Sequence, residues 1–327
     1  MITSLLKQCL AWLLLPSVLP FLALAEEAPV PANGKLKIFI LSGQSNMVGF
    51  GQIDGSPGTM TSYLKEKPKE YSHLVGKDGK PVVRDDVWIV DISNEPKQGW
   101  LTVGYGAKEN HIGPEYGFGL SVGDHFEDPV LLIKSAWGGR SLYHNFLPPS
   151  VADYPQPQKD GDKGFQYAEV LRHLKEITSN LKKYYPNYRG KGYELMGFGW
   201  HQGWNDRINA EAVNAYEKNM VHFVKDMRKD LAVKDLPFVI ANTGMGGWDI
   251  PKRYKERVEK LMTAQLALAD PEKYPEFKGT VAGVETRDFQ RSLAESPSKQ
   301  GYHWNRNWET YYLIGKTMGV EILKLYK

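Results

Sequence analysis

The sequence is almost without cysteine. Its one thiol, Cys9, lies near the start of a chain of 327 residues, inside a segment that reads as an export leader. The mature chain would then have none, which excludes disulfides, thiol catalysis and cysteine-ligated zinc. Such a protein must be held by its apolar core, and a chain of this length buries enough surface to do so. An excess of one charge is also missing: 41 Lys and Arg stand against 38 Asp and Glu, for a formal net charge of +3. No run of Lys or Arg forms a basic stripe, so nucleic acid is not an expected partner. His and Asp do not cluster at metal-ligand spacing, which speaks against a metal hydrolase. There is no internal repeat.

A long apolar run is absent as well. Residues 11–22 are the most apolar stretch, but Pro16 and Pro20 break it, and it is short of the about 20 residues a membrane span requires. Lys7 lies ahead of it, and Ala23-Leu24-Ala25 behind it gives a small-x-small cleavage pattern. The expectation is a signal peptide over 1–25, cleaved after Ala25, and an exported protein, periplasmic or extracellular, with no stable membrane insertion after cleavage. Cys9 precedes the apolar core and is poorly placed for lipid attachment. Residues 26–35 are polar and proline-rich, an exposed lead-in.

After the lead-in, short apolar runs alternate with helical patterns. Strands are expected at 36–41, 87–92, 130–134, 195–200, 238–241 and 280–284, several of them apolar almost throughout, as strands covered on both faces should be. Helical length and spacing occur at 168–181, 210–231 and 252–269, and 308–325 is expected to close the chain as a helix with charged and apolar residues mixed around its turns. The alternation predicts a parallel α/β sheet with helices on both sides. Stretches 52–84 and 147–164, rich in Gly, Pro, Lys and Asp, read as loop insertions within one domain covering 36–327. In such sheets ligands bind beyond the carboxyl ends of the strands, and chemistry-bearing residues lie there.

The first strand runs into Ser42-Gly43-Gln44-Ser45-Asn46-Met47. Ser45, in a glycine-flanked turn after a buried strand, can present a nucleophilic hydroxyl or can simply cap a helix. A later strand ends at Lys134-Ser135-Ala136-Trp137-Gly138-Gly139, where paired glycines let a backbone N–H approach a ligand or merely make a turn. His201-Gln202-Gly203-Trp204-Asn205-Asp206 follows another strand, with a side-chain amide and an acid near the same edge. His303, among aromatics just before the last helix, can be a base or a structural residue. The other histidines lack a paired acid nearby in sequence, or any positional argument.

Gly43-Gln44-Ser45-Asn46-Met47, Trp137-Gly138-Gly139, His201-Gln202-Gly203 and the late His303 occur in the order that resembles SGNH hydrolases. The match is to the sialate O-acetylesterase-like group, which includes carbohydrate esterase family 6 acetylxylan esterases. The resemblance spans about residues 36 to 327, and its motifs are specific jointly rather than singly. It implies a flavodoxin-like three-layer α/β/α sandwich and a serine carbohydrate O-acetylesterase working through an acetyl-enzyme, with no metal or organic cofactor. By position it makes Ser45 the nucleophile and His303 the base. It builds the oxyanion hole from the N–H of Ser45, the N–H of Gly139 and the amide of Gln202. The expected partner is an acetylated oligo- or polysaccharide, of xylan, sialate or other type.

Two positions depart from the family pattern. Gln300 occupies the slot of an orienting Asp three residues before the histidine, and Trp204 stands where many relatives carry Glu. Either Ser45 and His303 work as a dyad or another acid assists. Asp206 is the first candidate because it sits at the sheet edge beside Gln202, with Glu295 and Glu309 nearer His303 in sequence. Trp137, Tyr143, Trp204 and Trp304 flank the site motifs and are candidates for stacking on sugar rings. The rival readings are an esterase for other short-chain esters and a carbohydrate-binding protein on a decayed esterase scaffold. If His303 is the base, activity must fall below its pKa.

Overall fold

The structure is a computed structural model that describes residues 35–326 apart from Ser56, Asn187 and Lys191. The expected signal peptide and nearly all of the lead-in lie outside the described residues; Lys35, the last lead-in residue, is exposed. In chain order the elements are β1 Leu36–Gly43, α1 Ser45–Val48, β2 Gly51–Gln52, α2 Met60–Glu66, α3 Pro68–Tyr71, β3 Arg84–Asp91, β4 Lys97–Leu101, β5 His111–Ile112 and α4 Pro114–Gly123. Then come β6 Val130–Ala136, α5 Phe165–Ser179, α6 Leu181–Tyr184, β7 Tyr193–His201, α7 Ala210–Asp230, β8 Phe238–Ala241, α8 Lys252–Leu266, β9 Val281–Val284 and α9 Trp308–Leu323.

Seven strands form one sheet in the order β4-β3-β6-β1-β7-β8-β9. All its pairings are parallel except that of β4, which runs antiparallel along β3. The strands are buried on both faces because side chains alternate between two cores. Along β1, Ile38 and Ile40 join the core under α5, α7 and α8, while Phe39 and Leu41 join the core under α4 and α9. These are the three layers of an α/β/α sandwich.

The six expected strands are present, each within a few residues of its expected ends. β4 was not legible: Lys97, Gln98 and Gly99 give it the polar face of an edge strand. Helix α4 was hidden by Gly117, Gly119 and Gly123, which break the apolar period. Those glycines serve packing, since a Cβ at Gly117 would run into the Tyr312 carbonyl of α9 and one at Gly315 into that of Pro114. Segment 52–84 carries α2 and α3, whose Met60, Tyr63 and Tyr71 enter the core beside α9; segment 147–164 has no helix or strand.

The order of the strands selects one edge position. The chain builds β3 and then β6 to one side of β1, then crosses to add β7, β8 and β9 on the other. The carboxyl end of β1 is therefore the point where the winding reverses, the place where open α/β sheets leave a crevice. Ser45 begins there.

Candidate active site

Gly43 ends β1 pressed against β7. A Cβ on it would overlap the backbone of His201, so only glycine lets the two strands stay this close at their ends. One residue on, Gln44 is the N-cap of α1 without a side-chain cap bond, and Ser45 is the first helical residue. Ser45 is thus not the cap. Its main-chain N–H belongs to the first turn, which has no intrahelical acceptor. Its side chain is nearly buried, at 7% exposure.

The amide of Gln44 is oriented by its surroundings. Oε1 accepts from the N–H of Gly203 at 3.1 Å and of Asn205 at 2.9 Å. With the oxygen so fixed, Nε2 must point the other way, and it lies 3.5 Å from Ser45 Oγ. Asn46 is held in turn by Tyr311 of α9 and by Met245, whose Sδ accepts from Asn46 Nδ2 at 3.4 Å. Gly139 has φ +66, and a Cβ there would meet nothing within 4 Å. Its backbone therefore needs glycine, and the space a side chain would fill is open.

Gln202 does not offer a free amide. Its Nε2 donates to the Arg140 carbonyl at 2.9 Å and to Asp206 Oδ2 at 2.6 Å, and its Oε1 accepts from Tyr216. Both hydrogens are taken. Asp206 is likewise committed: besides Gln202 it accepts from the N–H groups of Leu142 and Tyr143 at 3.1 and 3.0 Å. Burial outweighs these donors and raises its pKa to about 6. Asp206 is therefore the anchor of the loop after Gly139, and the structure does not bring it to His303.

Nor do the other acids reach that ring. Glu309 is buried in a separate network with Lys67, Tyr71 and Arg291, and Glu295 bonds to Ser292. Gln300 donates to the Tyr302 carbonyl at 3.0 Å, bracing the loop that carries His303. The His303 ring stacks on Phe50, with centroids 3.9 Å apart and planes 7° from parallel. Phe50 lies two residues beyond α1, so serine and histidine flank the same short segment at the same sheet edge. Among the described residues no hydrogen bond joins them. Burial and the charge of Arg306 lower the His303 pKa to about 4, which keeps the ring neutral at ordinary pH. His303 through Arg306 all have positive φ, between 49° and 61°. Four successive non-glycine residues in the left-handed region store backbone strain. Asn305 Oδ1 holds the turn by accepting from Gly301 N–H at 2.9 Å.

Two other histidines are excluded by burial. His201 donates to the Ala241 carbonyl through Nδ1–H at 3.2 Å, with Nε2 buried and unpartnered. His173 lies 2.9 Å from Ser135 Oγ and 3.7 Å from Glu169, a pairing the sequence did not suggest. Both Ser135 and His173 are at most 1% exposed, so no ester can reach that triad-like group.

The expected sugar platforms are redistributed. Trp137 and Trp304 are core residues at 8% and 1% exposure, and Trp137 Nε1 is spent on the Ser93 carbonyl. Trp204 is half-buried, its ring covered by the Arg207 guanidinium at 3.8 Å. Tyr143 is at the surface, its hydroxyl donating to Glu211. Trp248, Tyr254 and Tyr302, which the sequence did not single out, are exposed as well. Tyr254, Tyr302, Trp204 and Met245 line a groove of about 390 Å³. Nothing in the local sequence separates these rings from core aromatics except their place in the connections after β7, β8 and β9 or, for Tyr254, in the first turn of α8.

The profile of a family described as carbohydrate esterase, sialic acid-specific acetylesterase, matches residues 35–281. The chain belongs to this family. The matched stretch of this carbohydrate esterase holds Ser45, Gly139, Gln202 and Asp206, and His303 lies beyond it. A protein of Arabidopsis thaliana described as a probable carbohydrate esterase is 26% identical over 251 residues, covering 74% of this chain and 78% of that protein. Among solved structures, one of a protein from Arabidopsis thaliana covers 88% of this chain and 98% of its own, with TM-score 0.55 and 18% identity. A carbohydrate acetylesterase from Xanthomonas citri has TM-score 0.52 and 13% identity over 87% of this chain and 55% of its own. The fold is that of the SGNH-type carbohydrate esterases. Among the described residues no helix is long and apolar enough to cross a membrane.

Proposed function

We propose that this carbohydrate esterase is an exported serine O-acetylesterase acting on acetylated sugars through a Ser45–His303 dyad. The observation that carries the reading is the junction at the end of β1, where Ser45 opens a helix at the winding reversal with the Gln44 amide turned toward its hydroxyl. Export rests on the leader pattern of residues 1–25.

In the reaction, Ser45 Oγ attacks the acetyl carbonyl carbon while the neutral His303 ring takes the hydroxyl proton. The carbonyl oxygen becomes an oxyanion that accepts from the N–H of Ser45, the N–H of Gly139 and Nε2 of Gln44, which takes the part that the committed Gln202 cannot. The C–O bond to the sugar then breaks, and the histidine proton passes to the sugar oxygen. Water, deprotonated by His303, attacks the acetyl-serine, and acetate leaves with Ser45 restored. Before substrate binds, the ring leans on Phe50; catalytic hydrogen bonds commonly tighten only in the substrate complex. The strained turn at 303–306 supplies a segment that can shift.

A non-catalytic sugar-binding role is favoured by one feature, Gln300 in the orienting-acid slot. Acetate release from acetylated xylan and O-acetylated sialic acid, run beside Ser45→Ala, separates the two. The esterase reading expects release that the substitution abolishes; absence of release by the unaltered protein leaves binding as the answer. A chromogenic octanoyl ester hydrolysed in preference to the acetyl one would instead remove the acetyl specificity.

A further inference from the structure

The near-balanced charge of the chain conceals a local imbalance. The connection after β7 and the start of α8 bring Arg207, Arg253 and Arg257 around one hollow of about 300 Å³, whose other walls are Ile208, Tyr254 and Val258. No carboxylate lines it. The arginine ion pairs of the described residues belong to Arg84, Arg140, Arg172, Arg287 and Arg291, so none of these three guanidiniums is ion-paired, although Glu256 shares the neighbouring hollow with Arg253 and Arg257.

Each of them is nevertheless held in place. Arg207 lies over the Trp204 ring at 3.8 Å and Arg253 over the Tyr254 ring at 4.5 Å. Arg257 donates to the Ile208 carbonyl at 3.1 Å. Stacked or tethered guanidiniums lose little freedom when they bind, and their planar forks match carboxylate and sulfate oxygens. Burial and the neighbouring Arg257 charge lower the Arg207 pKa, and Arg207 Nε is buried without a partner. Like charges gathered in a concave site cost free energy that an anion would offset.

The hollow also adjoins the acetyl site. It shares Arg207, Arg253, Tyr254 and Val258 with the groove lined by Trp204, Met245 and Tyr302. At the far end of that groove, Met245 touches Asn46, the neighbour of Ser45, and the Tyr302 ring is 4.8 Å from the His303 ring.

We propose that Arg207, Arg253 and Arg257 form a subsite for an anionic group, carboxylate or sulfate, on a sugar unit next to the acetylated one, so that the substrate is an acidic acetylated glycan. The proposal rests on the esterase reading, and hydrolysis of a small chromogenic acetyl ester tests that reading separately. The subsite is tested by acetate release from three acetylated oligosaccharides of equal length, neutral, uronate-bearing and sulfated. The unaltered enzyme should show KM about tenfold lower for at least one charged substrate than for the neutral one, since a charge-assisted pair is worth that much. The difference should shrink with added salt and disappear in the folded double variant Arg253→Gln/Arg257→Gln. A preference for the uronate alone identifies a carboxylate, and for the sulfated substrate alone a sulfate. Equal KM for all three, or a preference that survives the double substitution, overturns the proposal.

Discussion

Replacing Asp206 by Asn separates two roles for that acid. Asp206 is 1% exposed, and its carboxylate pKa is raised from 3.8 to about 6. In the folded protein it therefore binds a proton at pH values where the unfolded chain has released it. Stability is fully present below about pH 4 and declines as pH rises to about 6, by about 3 kcal/mol for a shift of about two units. Asparagine mimics the protonated form and removes that loss. Its oxygen can still accept from Gln202 and Leu142, while its NH2 would face the Tyr143 N–H and leave that donor without an acceptor, at a cost of about 1–3 kcal/mol. The variant should then be as stable as the parent at neutral pH, or more so by about 1–2 kcal/mol. It should also lack the decline between pH 4 and 6 in thermal or urea unfolding. Because no hydrogen bond links Asp206 to His303, kcat on a chromogenic acetyl ester should fall by less than about tenfold, against the about 10⁴ lost when a triad's orienting Asp becomes Asn. A loss near 10⁴ with the fold intact would refute this reasoning and return Asp206 to the role of orienting acid.

Other outcomes follow from the same geometry. With its pKa lowered to about 4, His303 stays an unprotonated base across mildly acidic pH. Plotted as kcat/KM, activity should be level from pH 7 down to about 5 and fall near 4; a midpoint near the ordinary histidine value of 6.5 would contradict the burial argument. Gln44→Glu keeps an acceptor for Gly203 and Asn205 but replaces the donor beside Ser45, so kcat should drop about a hundredfold, the usual cost of one oxyanion donor. An unchanged kcat would remove Gln44 from the site.

The parts of this molecule that local pattern determines were legible in its sequence. β1, with apolar residues on both faces and a glycine at its end, announced a buried parallel strand and put Ser45 at the sheet edge. The helices at 165–179, 210–230 and 252–266 carried their own period, and the one at 308–323 was legible by its length although it is buried around most of its turns. Features that depend on contacts between distant segments were not legible. Gln44 receives its hydrogen bonds from residues 159 and 161 positions away, so nothing beside it in sequence revealed that its amide, rather than that of Gln202, is turned toward Ser45. Asp206 looked like a free acid at the edge, and only folding shows three donors closing on it. Trp137 and Trp304 flank the site motifs yet point into the core, because adjacency in sequence does not say which way a ring turns. The arginine hollow joins residues 207 and 253, which a total charge cannot report.

The central claim is that Ser45 carries the acetyl group between sugar and water. Acid-quenching the enzyme during turnover of an acetyl ester, followed by peptide mass spectrometry, tests it directly. The account predicts the mass of one acetyl group on the peptide containing Ser45, absent from that peptide in Ser45→Ala and diminished by His303→Ala. Full acetate release by the Ser45→Ala protein, or an acetyl group trapped on a different residue, would contradict it.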